Sequence, residues 1–226
     1  MENNITRVAI DGPAAAGKST VAKMVADQLA FVYVDTGAMY RALTLKVINE
    51  KIQIENERAV IDLLQQTSID LIQNKSGQTV LLDGVDVTEE IRSQSVNLLV
   101  SKIAQINGVR KEMVHRQKLL AENKSIVMDG RDIGTHVIPG AEVKIFLIAS
   151  AEERAKRRHR ENIEKGIPSD YEQIVKEIKD RDELDYNRKI SPLVKAEGAV
   201  EIDTTSLTIN EVVKEILMEV NKINSK

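Results

Sequence analysis

The chain has 226 residues, a net charge of −3 and a pI near 5.8, a balance that argues against non-specific nucleic-acid binding, which needs a large positive field. Hydrophobic residues make up 42% and aromatics only 3%, without Trp, so the core of one domain, or of one domain with a sizeable insertion, must be mostly aliphatic. Cys is absent, which excludes disulfides and thiolate metal sites, and the three histidines, His115, His136 and His159, lack metal-ligand spacing.

The first residues, MENNITR, carry no apolar signal core, and no apolar run approaches the roughly 18 residues of a membrane span. The expectation is a cytoplasmic protein. Along the chain, 5–10 reads as a buried strand, followed by a glycine-bracketed loop and a helical pattern to Leu29. Phe31 to Val34 is a second strand, Thr36 to Glu50 has helical spacing, and Ala59 to Leu64 belongs to another helix. Ser68 to Gln73, Gln78 to Leu82 and Val85 to Val87 are short β-like runs joined by Asn74-Lys75-Ser76-Gly77 and by Asp83-Gly84, the latter a two-residue hairpin signal. Helical patterns resume from Glu89 to Leu120, and Ser125 to Met128, Val143 to Ala149 and Ala199 to Ile202 read as core strands. Ser150-x-x-Glu153, Ser169-x-x-Glu172 and Thr208-x-x-Glu211 have the form of capping boxes, each opening a helix.

Strands alternating with helices imply a parallel sheet covered on both faces. Gly12-Pro13-Ala14-Ala15-Ala16-Gly17-Lys18-Ser19, followed by Thr20, matches the phosphate-loop pattern in the context that supports it, after a strand and opening a helix. The glycines let consecutive N–H groups face phosphate oxygens, and the helix N-terminus adds partial positive charge. In this pattern Lys18 reaches the β- and γ-phosphates and the Ser19 hydroxyl ligates Mg²⁺. The expectation is therefore an α/β P-loop NTPase fold on one domain. Its core spans 1–66 and 101–226, an antiparallel β insertion covers about 67–100, and a helical lid covers about 150–169.

The loop serves kinases, switches and motors alike. A guanine-reading Asn-Lys-x-Asp segment is missing, since Asn74-Lys75-Ser76-Gly77 lacks the Asp and lies in the insertion, and at this length the partner domains of a motor are not expected. Arginine is abundant instead. Arg154, Arg157 and Arg158 fall at i, i+3, i+4 on the helix opened by Ser150, and predict a water-facing arginine face that closes over ATP. The bland alternative is a solvated charged face, because Glu152, Glu153, Glu161 and Glu164 share the helix. Arg181, Asp185 and Arg188 fall at i, i+4, i+7 on a helix whose apolar stripe is Tyr171, Ile174, Val175 and Ile178.

Five segments together resemble the bacterial cytidylate kinase family over essentially the whole chain. They are Ile10-Asp11-Gly12-Pro13 running into Gly17-Lys18-Ser19-Thr20; Asp35-Thr36-Gly37-Ala38-Met39-Tyr40-Arg41; Asp129-Gly130-Arg131-Asp132-Ile133-Gly134-Thr135; Lys144-Ile145-Phe146-Leu147; and Arg181-Asp182 leading to Asn187-Arg188 and Pro192-Leu193. The resemblance implies ATP as donor with Mg²⁺, CMP and dCMP as acceptors, and a monomer acting on small molecules. It implies that Asp132, with Arg110 and Ser101, reads cytosine, because a carboxylate accepts from the N4 amino group and repels uracil O4. It further implies that Arg41, Arg131 and Arg188 hold the acceptor phosphate and that Arg181 and Asp185 meet the sugar. Thr36 keeps a hydroxyl where some members have Ser. Tyr40 is either a substrate contact or a core aromatic, and Asp129 or its rival Asp35 supports Mg²⁺ through water. Beside Lys18, the arginines Arg131, Arg157, Arg158 and Arg188 are the candidates for stabilising the transferring phosphoryl group, Arg157 also touching ATP. The residues alone leave open a kinase for another small acceptor (uridylate, shikimate or dephospho-coenzyme A) and a nucleotide switch without transfer.

Overall fold

Strand β1 (Arg7–Asp11) buries the apolar run Val8, Ala9 and Ile10, and a computed structural model of the protein, which describes residues 5–74, 77–164 and 166–224, places it at the centre of a parallel sheet. Its neighbours are β6 (Ile126–Gly130) and β7 (Val143–Ile148), with β2 (Val32–Asp35) and β8 (Val200–Asp203) at the edges. The register pairs Ile10 with Asp129 and Asp35 with Asp129, so the carboxyl ends of β1, β2 and β6 finish side by side. Ligands of open α/β sheets bind at that end of the strands.

Helices cover both faces, as parallel pairing requires. On one side α1 (Lys18–Leu29) and α8 (Ile209–Asn224) pack Val21, Val25, Val212 and Ile216 against Val8, Ile10, Ile145 and Leu147. The second side holds Ala9, Val34, Ile126 and Met128 under Ile133 and Val137. Alongside it, α2 (Thr36–Asn49), α3 (Glu57–Gln65), α4 (Gln94–Ile103) and α5 (Asn107–Leu120) bury Met39, Leu43, Leu64, Ile103 and Met113 in one cluster. Each such side chain contributes about 1.5–3 kcal/mol by leaving water.

The predicted β insertion is a separate antiparallel sheet of β3 (Ile69–Asn74), β4 (Gly77–Leu82) and β5 (Val85–Asp86). Asp83 and Gly84 both have positive φ (49° and 82°), the geometry of the two-residue hairpin turn that their sequence predicts. In the other turn, Lys75 and Ser76 lie outside the described residues, as do the first four residues of MENNITR. Val80 and Leu82 pack on Ala38 and Ala42 of α2, and the amides of Gln73 and Gln78 donate to the Tyr33 carbonyl oxygen, tying the insertion to the end of β2.

Two more helices, α6 (Ala151–Glu164) and α7 (Tyr171–Tyr186), form an antiparallel pair whose seam is Ala155, Tyr171, Ile174, Val175 and Ile178, the stripe expected from spacing. The capping expectations divide. Thr208 and Glu211 bond reciprocally, with Thr208 N–H to Glu211 at 2.8 Å and Glu211 N–H to Thr208 at 3.3 Å. Ser150 accepts from Glu153 N–H, but the Glu153 carboxylate turns to Arg157 instead. The Ser169 box is corrected: Asp170 caps α7 by accepting from Gln173 N–H at 3.0 Å. The Ser169 hydroxyl is engaged with His159 and Asn162, which leaves the adjacent Asp free to cap. Arg188 is also displaced from its expected setting, because α7 ends at Tyr186 and Arg188 lies beyond the C-cap Asn187.

Candidate active site

The phosphate loop leaves β1 at a position only glycine tolerates. Gly12 has φ +148°, and a Cβ there would sit 2.2 Å from the Leu147 carbonyl oxygen. Gly17 (φ 83°) turns the chain into α1, while Ala15 is held in the left-handed region at φ 59°. Lys18, the first residue of α1, is buried and donates to the Pro13 carbonyl oxygen at 2.6 Å. Its ammonium pKa falls well below the usual lysine value because burial strips its hydration and Arg131 adds repulsion.

Beside the loop, Ser19 Oγ donates to Asp129 Oδ2 at 2.8 Å and the Tyr33 hydroxyl donates to Asp129 Oδ1 at 2.9 Å. Burial, with the neighbouring Asp35 charge, pushes the Asp129 carboxyl up to about 6. Asp35 also caps α2, its Oδ1 accepting from Ala38 N–H at 3.0 Å. Among the described residues no cluster of three or more His, Cys, Asp or Glu forms a metal cage. A hydroxyl beside one or two carboxylates does suit Mg²⁺, which keeps several waters and takes its other ligands from substrate phosphates.

Across a cleft of about 770 Å³, open to solvent, stands a second group of charges. Arg110 Nη1 donates to Asp132 Oδ2 at 2.8 Å, with both side chains 6% exposed or less. The Arg110 guanidinium also donates to the Ala104 carbonyl oxygen and lies 5.3 Å over the Tyr40 ring. Ser101 of α4 is buried next to this pair at the cleft wall. Farther round, Arg131 Nε donates to Asp185 Oδ2 at 2.8 Å, and Arg188 Nη2 lies 3.8 Å from Asp185 Oδ1. Burial, together with the like charges of Arg131 and Arg41, lowers Arg181 to about 9. Tyr40 Oη, Arg181 Nε and Arg188 Nη2 are buried and have no hydrogen-bond partner among the described residues.

Most of the predicted residues meet here. Ala14, Ala15, Lys18, Ser19, Asp35, Thr36, Tyr40, Arg41, Ser101, Arg110, Asp129, Arg131, Asp132, Arg158, Arg181, Asp185 and Arg188 all line the cleft. Thr36 lines the cleft while its hydroxyl donates to the Asp129 carbonyl oxygen at 2.7 Å. Gly12, Pro13, Ala16 and Gly17 shape the loop from behind, and Thr20 is exposed outside the lining. Arg157 is not brought to the cleft; its guanidinium donates to the backbone oxygen and hydroxyl of Thr204, after β8. The water-facing setting expected for Arg154 is wrong. Arg154 is 4% exposed, donates to the Ala14 carbonyl oxygen at 2.9 Å, and forms a two-point pair with Asp182 at 3.1 and 2.5 Å.

Two buried residues outside the cleft lining, to which the sequence alone assigns no role, support it from behind. Tyr33 supports Asp129, and Asp11 accepts from the N–H groups of Ile133 and Gly134, in the loop carrying Asp132. The available signal for Asp11 is its position, a carboxylate at the end of a buried strand.

Residues 8–222 match the family model described as cytidylate kinase. The chain is 62% identical over its full length to the cytidylate kinase of Oceanobacillus iheyensis, covering 98% of that protein, and 54% identical to that of Bacillus subtilis over 98% of this chain and 99% of the relative. The solved structure of an uncharacterized protein from Eubacterium ventriosum covers 98% of this chain and 99% of its own with a TM-score of 0.50 at 11% identity, a likeness of fold alone. The phosphate loop, the charged cleft facing it and these full-length matches agree, and the chain belongs to the cytidylate kinase family.

Proposed function

We propose that the protein transfers the γ-phosphoryl group of ATP to CMP, and to dCMP, giving ADP and the nucleoside diphosphate. The observation that carries this reading is the buried Arg110–Asp132 pair set across the cleft from the phosphate loop. With one Asp132 oxygen engaged by Arg110, the carboxylate retains acceptor capacity for the cytosine N4 amino group, and the Arg110 fork and Ser101 hydroxyl supply donors for N3 and O2. Uracil presents O4 to the same carboxylate and is repelled.

The remaining roles follow from charge. Arg41, Arg131 and Arg188 hold the acceptor phosphate, Arg181 and Asp185 meet the sugar, and the backbone N–H groups of the loop hold the donor phosphates. Lys18 turns from the Pro13 carbonyl to the transferring group, and Arg158, carried by α6, meets that group when the lid of about 150–169 closes and excludes water. Ser19 and Asp129 would hold Mg²⁺, which would supply positive charge to neutralise the donor phosphates. The acceptor phosphate needs no general base, because its second ionisation lies near pH 6. Its oxygen attacks in line, and the surrounding cations stabilise the charge that spreads over the equatorial oxygens. Chemistry on free nucleotides fits a cytoplasmic monomer without nucleic-acid partners.

The test is a panel of CMP, dCMP, UMP, shikimate and dephospho-coenzyme A with ATP, scored by ADP release. CMP and dCMP should stimulate turnover well above the rest. Asp132→Asn should narrow the CMP:UMP preference by about tenfold, since one good base contact discriminates by roughly 1–3 kcal/mol. An unchanged ratio with a lower overall rate removes Asp132 as the base reader, and equal stimulation by UMP or shikimate removes CMP as the acceptor.

A further inference from the structure

Asp11 ends β1 immediately before the phosphate loop, yet its carboxylate is bonded to a different segment, the one that follows β6. It is 3% exposed, and its two oxygens are spent on two consecutive backbone donors: Oδ1 accepts from Ile133 N–H at 2.9 Å and Oδ2 from Gly134 N–H at 2.8 Å. Asp132 is the residue directly before these two. It sits at φ −142°, ψ 27°, where the chain leaves β6 and enters a single π turn, Ile133–Val137. The charged group hydrogen-bonded to the Asp132 carboxylate is Arg110, whose side chain comes from α5. The backbone under Asp132 is thus located by Asp11, and its side chain by Arg110.

We infer that Asp11 is a positioning residue for acceptor selection, setting where Asp132 presents its carboxylate to the base. The inference rests on Asp132 reading the base. A carboxylate is needed for this geometry because only the ionised form offers acceptors on both oxygens; a protonated acid or an amide turns one of them into a donor that faces an N–H. An ionised carboxylate here is costly. Burial pushes the Asp11 carboxyl up to about 7, the two backbone N–H bonds oppose that rise, the Asp132 charge adds to it and Lys18 counters it. The other surroundings are Gly130 and Phe146 on the flanking strands and the Lys144 stem beside Gly134. Retaining a buried charge that stability alone disfavours is explained when the charge fixes a recognition loop.

The experiment measures kcat/KM for CMP and for UMP from pH 6 to 8, with ATP saturating, in the wild type, Asp11→Asn, Gly134→Ala and Asp132→Asn. Both acceptors carry the same phosphate, so its ionisation cancels in the ratio, and kcat/KM reports groups of the enzyme before the acceptor binds. Asp11→Asn should narrow the CMP:UMP ratio by about tenfold, the size of one base contact, with the KM for ATP unchanged. The wild-type ratio should fall as pH drops through about 7, and that dependence should be flat in Asp11→Asn. Gly134→Ala, whose added methyl would lie 3.4 Å from Asp11 Oδ2 and 3.2 Å from Ala196 Cβ, should shift the ratio in the same direction without removing a charge. An Asp11→Asn ratio equal to wild type while Asp132→Asn changes it overturns the positioning role and leaves the base reading standing. A ratio insensitive to both overturns both. If Asp11→Asn does not fold, a flat wild-type profile together with an unchanged Gly134→Ala ratio overturns the inference.

Discussion

Replacing Arg154 by Ala is expected to damage stability before it damages chemistry. The guanidinium is 5% exposed and Asp182, its partner, 14%. Four donations are lost at once: to Ala149 O at 3.0 Å, to Ala14 O at 2.9 Å, and to the two Asp182 oxygens. Deleting one partner of a buried pair leaves the other charge uncompensated and costs about 3–5 kcal/mol. Unfolding entropy of about 2.1 cal/mol/K per residue gives a chain of this length about 0.5 kcal/mol/K, so the melting temperature should fall by about 6–10 °C. Differential scanning calorimetry at one protein concentration measures it. The double variant Arg154→Met with Asp182→Leu should recover more than half of the loss, because removing both charges avoids the stranded carboxylate. Because the Ala14 carbonyl is freed beside Ala15, a residue held at positive φ, the KM for ATP should rise as well. A melting temperature within about 2 °C of wild type, with a tenfold fall in kcat, would refute the brace and restore Arg154 to the water-facing arginines of a lid.

Lys18→Ala should abolish transfer while the circular-dichroism melt stays close to wild type, since the ammonium is bonded to one loop carbonyl and faces the cleft; near-normal turnover would remove the phosphate-loop assignment. Arg158→Ala should lower kcat at least about tenfold, or 1.4 kcal/mol, with Arg160→Ala, exposed on the same helix, as a silent control; steady-state kinetics in saturating ATP separates them. The raised carboxyl of Asp11 has a stability consequence of definite sign. From about 3.8 unfolded to about 7 folded, the native state holds the extra proton, so this stabilisation is full below pH 4 and is lost as pH rises to 7. Chemical denaturation of wild type and Asp11→Asn across that window should shift in favour of the variant as pH rises, by on the order of 4 kcal/mol, and a pH-independent difference would show that Asp11 ionises normally.

What the sequence exposes and what it hides follow a physical division. The phosphate loop, the Asp83-Gly84 turn and the Thr208 capping box are legible because each is decided within a few residues, by a required φ or a local hydrogen bond. The stripe of α7 is legible because burial on a helix has a period. Arg154 is not legible in this way. Spacing places it on a face with Arg157 and Arg158, but whether that face meets water or the phosphate loop depends on Asp182, 28 positions along, and on Ala14, 140 positions back. Ser169 and Asp170 are both good capping residues, and the choice between them is made by His159 on the preceding helix. Asp11 is hidden for the same reason. Its partners are backbone N–H groups 122 and 123 residues away, which no side-chain pattern records.

The cleft itself joins these long-range contacts into one electrostatic design. Lys18 and six arginines line it against four carboxylates, in a chain whose net charge is −3. Such a surplus would splay apart if the cations faced one another directly, and the carboxylates are interleaved to prevent that. Although burial works against its charge, Asp185 is kept below the usual carboxylate range by Arg131, Arg188 and Arg181, and so stays ionised among them. The surplus left over is not neutralised by protein. Burial is the larger cause of the lowered pKa of Arg181 and Lys18, and the surplus adds to it through neighbouring arginines; it shows also as guanidinium nitrogens with no hydrogen-bond partner among the described residues. Each unsatisfied buried group costs roughly 1–3 kcal/mol, and a fold selected for stability alone would not collect several of them round one cleft. An anion of the size and charge of a nucleotide phosphate removes the repulsion and supplies the missing acceptors together. The strain held in the cleft is therefore released on binding, and donors already in position need no reorganisation when charge spreads in the transition state.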